Sequence, residues 1–255
     1  MSDAATVARV LHVTDPHLFA DTAAALRGTA TFASLRRVLD HYERSPWTAD
    51  IVALTGDLTQ DETQGAYEHI ARAFSDLGLP TLVVPGNHDV RALMQEVLSD
   101  APFHYRSELR VGDWLLVGVD SCVSGAAHGA VSTTELDRMR GVIADTTAEH
   151  VAVCLHHPPV LVGSRWLDEV GMRNRDDFLA AVHDTGRVRL VLFGHVHQAV
   201  NDSDNGVPII GTPSTCRQFK PKNDTFAVSD EPPAYRQVEL LDDGTVRSDL
   251  IWVAD

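Results

Sequence analysis

Five short polar motifs, each placed directly after an apolar run of strand length, constrain this chain more than any other feature. They are Asp15-Pro16-His17, Gly56-Asp57, Gly86-Asn87-His88-Asp89, His156-His157-Pro158-Pro159 and Gly194-His195-Val196-His197. The runs before them are Ala8 to Thr14, Asp50 to Thr55, Thr81 to Pro85, Val151 to Leu155 and Val188 to Phe193. Short, nearly continuous apolar runs bounded by turn residues read as strands buried on both faces. Helical spacing fills the gaps. Phe32, Leu35, Val38 and Leu39 mark a helix over Thr31 to Tyr42, and Tyr67, Ile70, Ala71, Phe74 and Leu77 mark another over Gln64 to Leu77. A short helix is expected over Arg91 to Leu98.

From Phe103 onward the texture changes. Tyr105 to Val111 and Trp114 to Asp120 read as paired strands turning at Gly112-Asp113. Ser132 to Ala144 reads as a helix, with Ser132 as N-cap and Glu135 completing a capping box. A further helix is expected near Arg175 to His183. Strands follow over Val207 to Gly211, Tyr235 to Leu241 and Val246 to Val253, the last two joined by the turn Asp242-Asp243-Gly244. Strands alternating with helices, then running together, predict an α/β fold. Two mixed sheets pack face to face with helices outside, in one domain spanning residues 1–255. Gln218 to Pro233 is the most irregular stretch and is expected to loop over the site.

A chain of 255 residues, 44% hydrophobic, buries the core that one large domain needs. Its formal charge of −15 disfavours nucleic acid and anionic membranes as partners. Cys122, Cys154 and Cys216 form no CxxC pair, so buried reduced thiols are expected, which suits a reducing cytoplasm. The start Met-Ser-Asp-Ala-Ala-Thr lacks the basic and apolar pattern of a signal peptide. No apolar run approaches the ~20 residues of a membrane span. A cytoplasmic location follows as the expectation.

The motifs supply carboxylate, carboxamide and imidazole together, the mixture that borderline divalent cations bind. Asp15 and His17 are two residues apart, as are His195 and His197, so each pair can aim at one cation. A carboxylate at Asp57 has two oxygens and can bridge two ions. Asn87 adds a neutral oxygen and His156 another imidazole. With Asp57 shared, Asp15, His17, Asp57, Asn87, His156, His195 and His197 serve two divalent metal ions and leave room for water and a substrate oxygen. Such a pair of cations activates water and neutralises a phosphate ester. His88 adjoins a ligand without being needed in that set and is the candidate catalytic general acid, with Asp89 placed to orient it. His157 is expected to support the ligands rather than join them. His12 is assigned to the core, and His41, His69, His104, His128, His150 and His183 to the surface.

The motifs DPH, GD, GNHD, HHPP and GHVH resemble the diagnostic positions of the calcineurin-like metallophosphoesterases. The resemblance extends to the bacterial 3′,5′-cyclic-AMP phosphodiesterases of the class III, CpdA (Icc) type. It is carried by Thr14 to Ala20 with Leu26-Arg27-Gly28, by Ser164 to Asp168 with Met172-Arg173-Asn174, and by Thr212 to Pro221. Pro16 departs from the threonine expected there. The resemblance implies a four-layer α-β-β-α sandwich and a hydrolase that opens 3′,5′-cyclic AMP to 5′-AMP using a bridging hydroxide. Iron (Fe2+) or manganese (Mn2+) is the implied pair of ions, although a nitrogen and oxygen site also accepts cobalt or zinc. It further implies Asp15, His17, Asp57 and His197 around one ion, and Asp57, Asn87, His156 and His195 around the other. Substrate contacts fall to His17, Asn87, His88 and His197, and the base pocket to Arg173, Asn174, Thr215 and Phe219, with Phe219 stacking on adenine. The motifs alone equally permit a broader phosphodiesterase acting on 2′,3′-cyclic nucleotides or glycerophosphodiesters. A binding scaffold with a silent site would lack a ligand or His88, and neither is missing. The expected partner is a small cyclic nucleotide, with the protein a monomer or homodimer.

Overall fold

The computed structural model describes residues 4–254. The first strand, β1 (Thr6–Val13), is followed by a small hairpin, β2 (Ala25–Leu26) and β3 (Thr29–Ala30). Helix α1 (Thr31–Arg44), strand β4 (Ile51–Leu54), helix α2 (Gln64–Ser75), strand β5 (Thr81–Val83), helix α3 (Arg91–Val97) and strand β6 (Phe103–Tyr105) come next. Then come β7 (Glu108–Val111), β8 (Trp114–Gly118), α4 (Thr133–Asp145), β9 (His150–Cys154), α5 (Arg165–Asp168), α6 (Arg175–Asp184) and β10 (Val188–Phe193). The chain ends with β11 (Val200–Asp204), β12 (Val207–Gly211), β13 (Ala234–Leu241) and β14 (Val246–Trp252).

One sheet has the order β14-β13-β1-β4-β5-β6, the other β11-β12-β10-β9-β8-β7. The strands β1, β4, β5 and β6 are parallel, as are β8, β9, β10 and β12, while β13 runs antiparallel to β1. Both sheets are therefore mixed. Alternation along each strand assigns its faces. Leu11 and Val13 of β1 pack with Leu35, Leu39, Tyr67 and Phe74 of α1 and α2. Val151 and Val153 of β9 pack with Met139 of α4 and Phe178 of α6. Val10, Ile51, Leu82, Trp114, Leu116, Ala152, Leu190 and Val238 fill the space between the sheets. Burial on both faces explains why these strands read as unbroken apolar runs. The result is the four-layer α-β-β-α sandwich.

Four details depart from expectation. The run Tyr105 to Val111 is not one strand, because Arg106 takes a left-handed φ of 47° and sends the chain from β6 in one sheet to β7 in the other. The capping box of α4 is half made. Ser132 Oγ accepts from Glu135 N at 3.2 Å, but the Glu135 carboxylate turns to Asp120 N, Arg106 and Arg138. His150 is buried, with its ring 5.2 Å from that of Trp114, because it begins β9 instead of preceding it. The hairpin β2–β3, helix α5 and strand β11 carried no signal. The thiols of Cys122, Cys154 and Cys216 are free, and Cys154 lies in the core between the sheets. Among the described residues no helix is long and apolar enough to cross a membrane.

His12 points into the space between the sheets. Its Nε2 meets Thr55 Oγ1 at 2.8 Å, and its Nδ1 meets Thr212 Oγ1, beyond β12, at 2.6 Å. Burial, then the nearby Arg236, lowers its pKa to about 3. The folded ring stays neutral while an unfolded chain takes up a proton below about pH 6.5. Stability from this group is therefore complete above pH 6.5 and is lost as pH falls toward 3, at up to about 1.4 kcal/mol per pH unit. Urea unfolding between pH 7 and pH 4 should decline more steeply for the wild type than for His12→Gln. Equal slopes would mean that His12 titrates normally in the fold.

Candidate metal centre and active site

Every motif occupies the turn leaving the carboxyl end of a parallel strand. β1 leads to Asp15 and His17, β4 to Asp57, and β5 to Asn87 and His88. In the second sheet β9 leads to His156, and β10 to His195 and His197. The chain must reverse sharply there, and Asp15, His17, Asp57, His195 and His197 all have left-handed φ, between 47° and 69°. Such a conformation costs a residue with a Cβ about 1–2 kcal/mol. Bonds between the turns hold it. Asp15 N donates to Gly56 O at 3.1 Å, His17 N to Asp57 O at 3.0 Å, and His195 N to the Asp15 carboxylate at 3.0 Å. The glycines permit the close approach, since a Cβ on Gly86 would overlap Asp57, and one on Gly56 would lie 2.5 Å from Gly86 N.

The side chains converge in two groups that share Asp57. In the first, His17 Nε2 lies 3.1 Å from His197 Nε2 and 3.7 Å from Asp57 Oδ2, and His197 Nε2 lies 3.2 Å from Asp15 Oδ1. In the second, His156 Nε2 lies 3.2 Å from His195 Nδ1, 3.3 Å from Asn87 Oδ1 and 3.4 Å from Asp57 Oδ1. Bonds of ~2.1 Å to a cation place neighbouring ligand atoms about 3.0 to 3.4 Å apart in octahedral or tetrahedral coordination. Most of the observed separations are therefore those of donors around a shared centre. His156 Nδ1 faces Thr55 O at 2.8 Å and His197 Nδ1 faces Arg217 O at 2.6 Å, so a proton held on each Nδ1 would leave Nε2 free to bind an ion.

Electrostatics point the same way. Asp15 and Asp57 are buried carboxylates. Burial by itself would raise Asp57, but His156 and then His17 outweigh it and hold it well below the usual carboxylate range. Burial also opposes charge on His156, yet the Asp57 carboxylate raises it to about 9. Burial lowers His17 to about 4 and His195 to about 3, which keeps those imidazoles neutral. Anionic oxygens clustered with imidazole rings, all withdrawn from water, form a site that calls for cations. The residues present thus fit a pair of divalent ions. His157 stands outside the set although it is close, because Ser121 Oγ at 2.9 Å and Ala127 O at 3.2 Å engage both its nitrogens.

Five of the donors, His17, Asp57, Asn87, His195 and His197, line a cavity of about 290 Å³ that is also lined by His88, Gln60, Arg27, Trp166, Phe219 and Phe226. His88 stands at its edge, 5.2 Å from the His17 ring. Asp89 does not orient His88. Its carboxylate accepts from Gly86 N, Leu58 N, Thr59 N and Tyr67 Oη, which ties the Asn87 turn to the Asp57 turn. Gln60 Nε2 lies 3.5 Å from His88 Nδ1.

Of the expected base-pocket residues, Phe219 lines the cavity and Arg173, Asn174 and Thr215 do not. Asn174 spends its amide on Val131, accepting from N at 3.0 Å and donating to O at 2.8 Å. Arg173 is exposed and borders a different surface hollow with Leu161 and Arg165. Thr215 is buried behind the floor, its N donating to Thr14 O. Phe219 does line the cavity, but its face is stacked on His197 with centroids 4.2 Å apart and planes 11° apart. Arg27, Gln60, Trp166 and Phe226 were not anticipated as site residues. Arg27 and Trp166 lie within the Leu26-Arg27-Gly28 and Ser164 to Asp168 signatures, a signal that could have found them.

Comparison with known proteins places this site in context. The family described as calcineurin-like phosphoesterase matches residues 8–199. The chain is 34% identical over 245 residues to the 3′,5′-cyclic adenosine monophosphate phosphodiesterase CpdA of Haemophilus influenzae, spanning 96% of this chain and 89% of that one. It is 35% identical to the protein of that name from Escherichia coli, with coverage of 97% and 90%. A 3′,5′-cyclic-nucleotide phosphodiesterase from Nostoc is 33% identical, with coverage of 92% and 89%. In fold alone, the chain is similar to a dimetal phosphatase from Danio rerio, at a TM-score of 0.64 and 15% identity over 98% of this chain and 100% of that one. Motifs, donor geometry and sequence agree that the chain belongs to the calcineurin-like phosphoesterase family.

Proposed function

We propose that the protein hydrolyses 3′,5′-cyclic AMP to 5′-AMP with two divalent cations, iron or manganese. The observation that carries this reading is the pair of donor groups sharing Asp57 on the floor of a cavity whose far wall is aromatic. It is supported by relatives at 33% to 35% identity that are named cyclic-nucleotide phosphodiesterases across nearly their whole length. Asp15, His17, Asp57 and His197 would hold one ion, and Asp57, Asn87, His156 and His195 the other. When bound, such ions would supply positive charge to the phosphate oxygens and lower the pKa of a bound water.

The protein's own groups do the rest. The Asp57 carboxylate fixes the spacing between the two donor groups, and His88 N at 2.9 Å from Asp57 Oδ1 locks the Asn87-His88 turn to it. His88 stands at the cavity edge to give a proton to the departing ribose 3′ oxygen, the step at which an alkoxide needs one. Thr55 O and Arg217 O orient His156 and His197 from behind. The apolar wall excludes water from one side of the substrate.

Manganese-loaded protein should hydrolyse 3′,5′-cyclic AMP faster than 2′,3′-cyclic AMP or bis-p-nitrophenyl phosphate, and chelation should abolish the activity. A preference for either of the other substrates would leave the metal chemistry standing and replace the substrate. His88→Ala should lower kcat on cyclic AMP by about 10²–10⁴-fold while retaining its metal; unchanged turnover would remove His88 from the reaction. Asp57→Ala should lose more than half of the manganese that elemental analysis finds in the wild type. A fully loaded Asp57→Ala protein would overturn the shared-carboxylate arrangement.

A further inference from the structure

Three segments far apart in sequence meet across the mouth of the cavity. The turn between β2 and β3 brings Arg27, α5 brings Trp166, and the irregular stretch after β12 brings Phe219 and Phe226. That stretch is a flap. Phe219 and Val228 form a β-bridge, Lys220 N donates to Ala227 O at 2.8 Å, and Ser229 N donates to Gln218 O at 2.9 Å. The rings of Trp166, Phe219 and Phe226 meet pairwise edge to face, with centroids 5.1 to 5.4 Å apart and planes inclined at 70° to 73°. The Arg27 guanidinium lies 4.3 Å over the Phe226 ring.

The members of this cluster are not equivalent. Phe219 has its face against His197 and serves as a positioning residue for that ligand. Phe226 is 44% exposed, unusual for a phenylalanine in contact with two other rings. The Trp166 indole N–H is buried beside the cavity with no protein acceptor. An exposed ring, an unpaired donor and a planar cation together suit a flat, heteroatom-bearing ring. His17, Asp57, Asn87, His195 and His197 line the same cavity.

We propose that Trp166, Phe226 and Arg27 form the nucleobase site, so that base selectivity resides in the flap and the β2–β3 turn and not in Arg173, Asn174 or Thr215. This rests on the cyclic-nucleotide reading of the metal floor. The base lies against the Phe226–Arg27 side of the mouth, and Trp166 donates to an acceptor on the base or ribose. Binding is noncovalent and no bond changes at this end of the substrate.

The test separates the base from the phosphate. Manganese-loaded protein hydrolysing bis-p-nitrophenyl phosphate is inhibited with 5′-AMP or with ribose 5-phosphate, which lacks the base. The wild type should bind 5′-AMP about tenfold or more tightly than ribose 5-phosphate, the scale of one base stacked on aromatic groups. Phe226→Leu, which keeps an apolar side chain but no π face, should reduce that ratio at least fivefold. Arg27→Ala should reduce it in the same direction. An unaltered ratio in both variants would overturn the proposal, as would equal inhibition of the wild type by the two ligands. If the wild-type ratio is large and depends on Phe226 while cyclic AMP is not hydrolysed, the nucleobase site stands and the reaction assignment fails. Hydrolysis of cyclic AMP with equal inhibition by the two ligands leaves the reaction assignment standing and removes the nucleobase site.

Discussion

The packing of one sheet on the other is the constraint on which the candidate metal centre depends. Neither sheet holds a complete set of donors. The first group takes Asp15, His17 and Asp57 from one sheet and His197 from the other, and the second takes Asp57 and Asn87 from one and His156 and His195 from the other. Relative placement of the sheets must therefore be correct to a fraction of an ångström. The apolar layer containing Trp114, Leu116, Leu190 and Val238 supplies most of the attraction. Polar ties supply the register. Trp114 Nε1 donates to Leu241 O at 2.7 Å, Arg236 donates to Gly211 O at 3.1 Å, and His12 meets Thr212. Each crosses from one sheet to the other and leaves a buried polar group unpaired if the sheets slide.

The same arrangement explains why the strain at the ligand turns persists. Left-handed backbone at Asp15, His17, Asp57, His195 and His197 is tolerable because each turn is bonded to the next. Asp89 acts at this level. Half-buried and surrounded by donors, it fastens the Asn87 turn to the Asp57 turn, and loss of water around it with the nearby Asp57 charge pushes it up to about 7. Its hydrogen bonds run to the backbone of those turns and to Tyr67.

Much of the fold was legible because strands buried on both faces leave continuous apolar runs and surface helices leave a 3.6-residue repeat. β11 escaped because its Asn201-Asp202-Ser203 sequence is that of an exposed edge strand, which has no apolar face to show. The break at Arg106 escaped because β propensity continues through it, and only the tertiary choice between two sheets reveals it. In the site, the donors could be read from residue type, since aspartate, asparagine and histidine at strand ends have few other reasons to gather. The aromatic wall could not be placed, because Arg27, Trp166 and Phe226 approach one another only through loops without periodicity. Asp89 and Asn174 show the limit of adjacency. Consecutive residues in a turn point in different directions, and a residue in a signature can serve the backbone beside it.

The strand that carries Asp15 and His17 lies inside its sheet, between β4 and β13. β13 pairs with it from Thr6 to His12 and comes from residues 234–241, near the end of the described chain. Ser214 Oγ, donating to Asp15 O, and Thr215 N, donating to Thr14 O, pin the following turn from the same late region. On a ribosome, every candidate ligand therefore emerges before the strand that fixes two of them. A nascent chain lacking β13 has the full complement of candidate metal-binding side chains without the strand that pairs with β1. Pairing of β13 with β1 thus completes the geometry of the Asp15 and His17 turn only after every candidate ligand has been made.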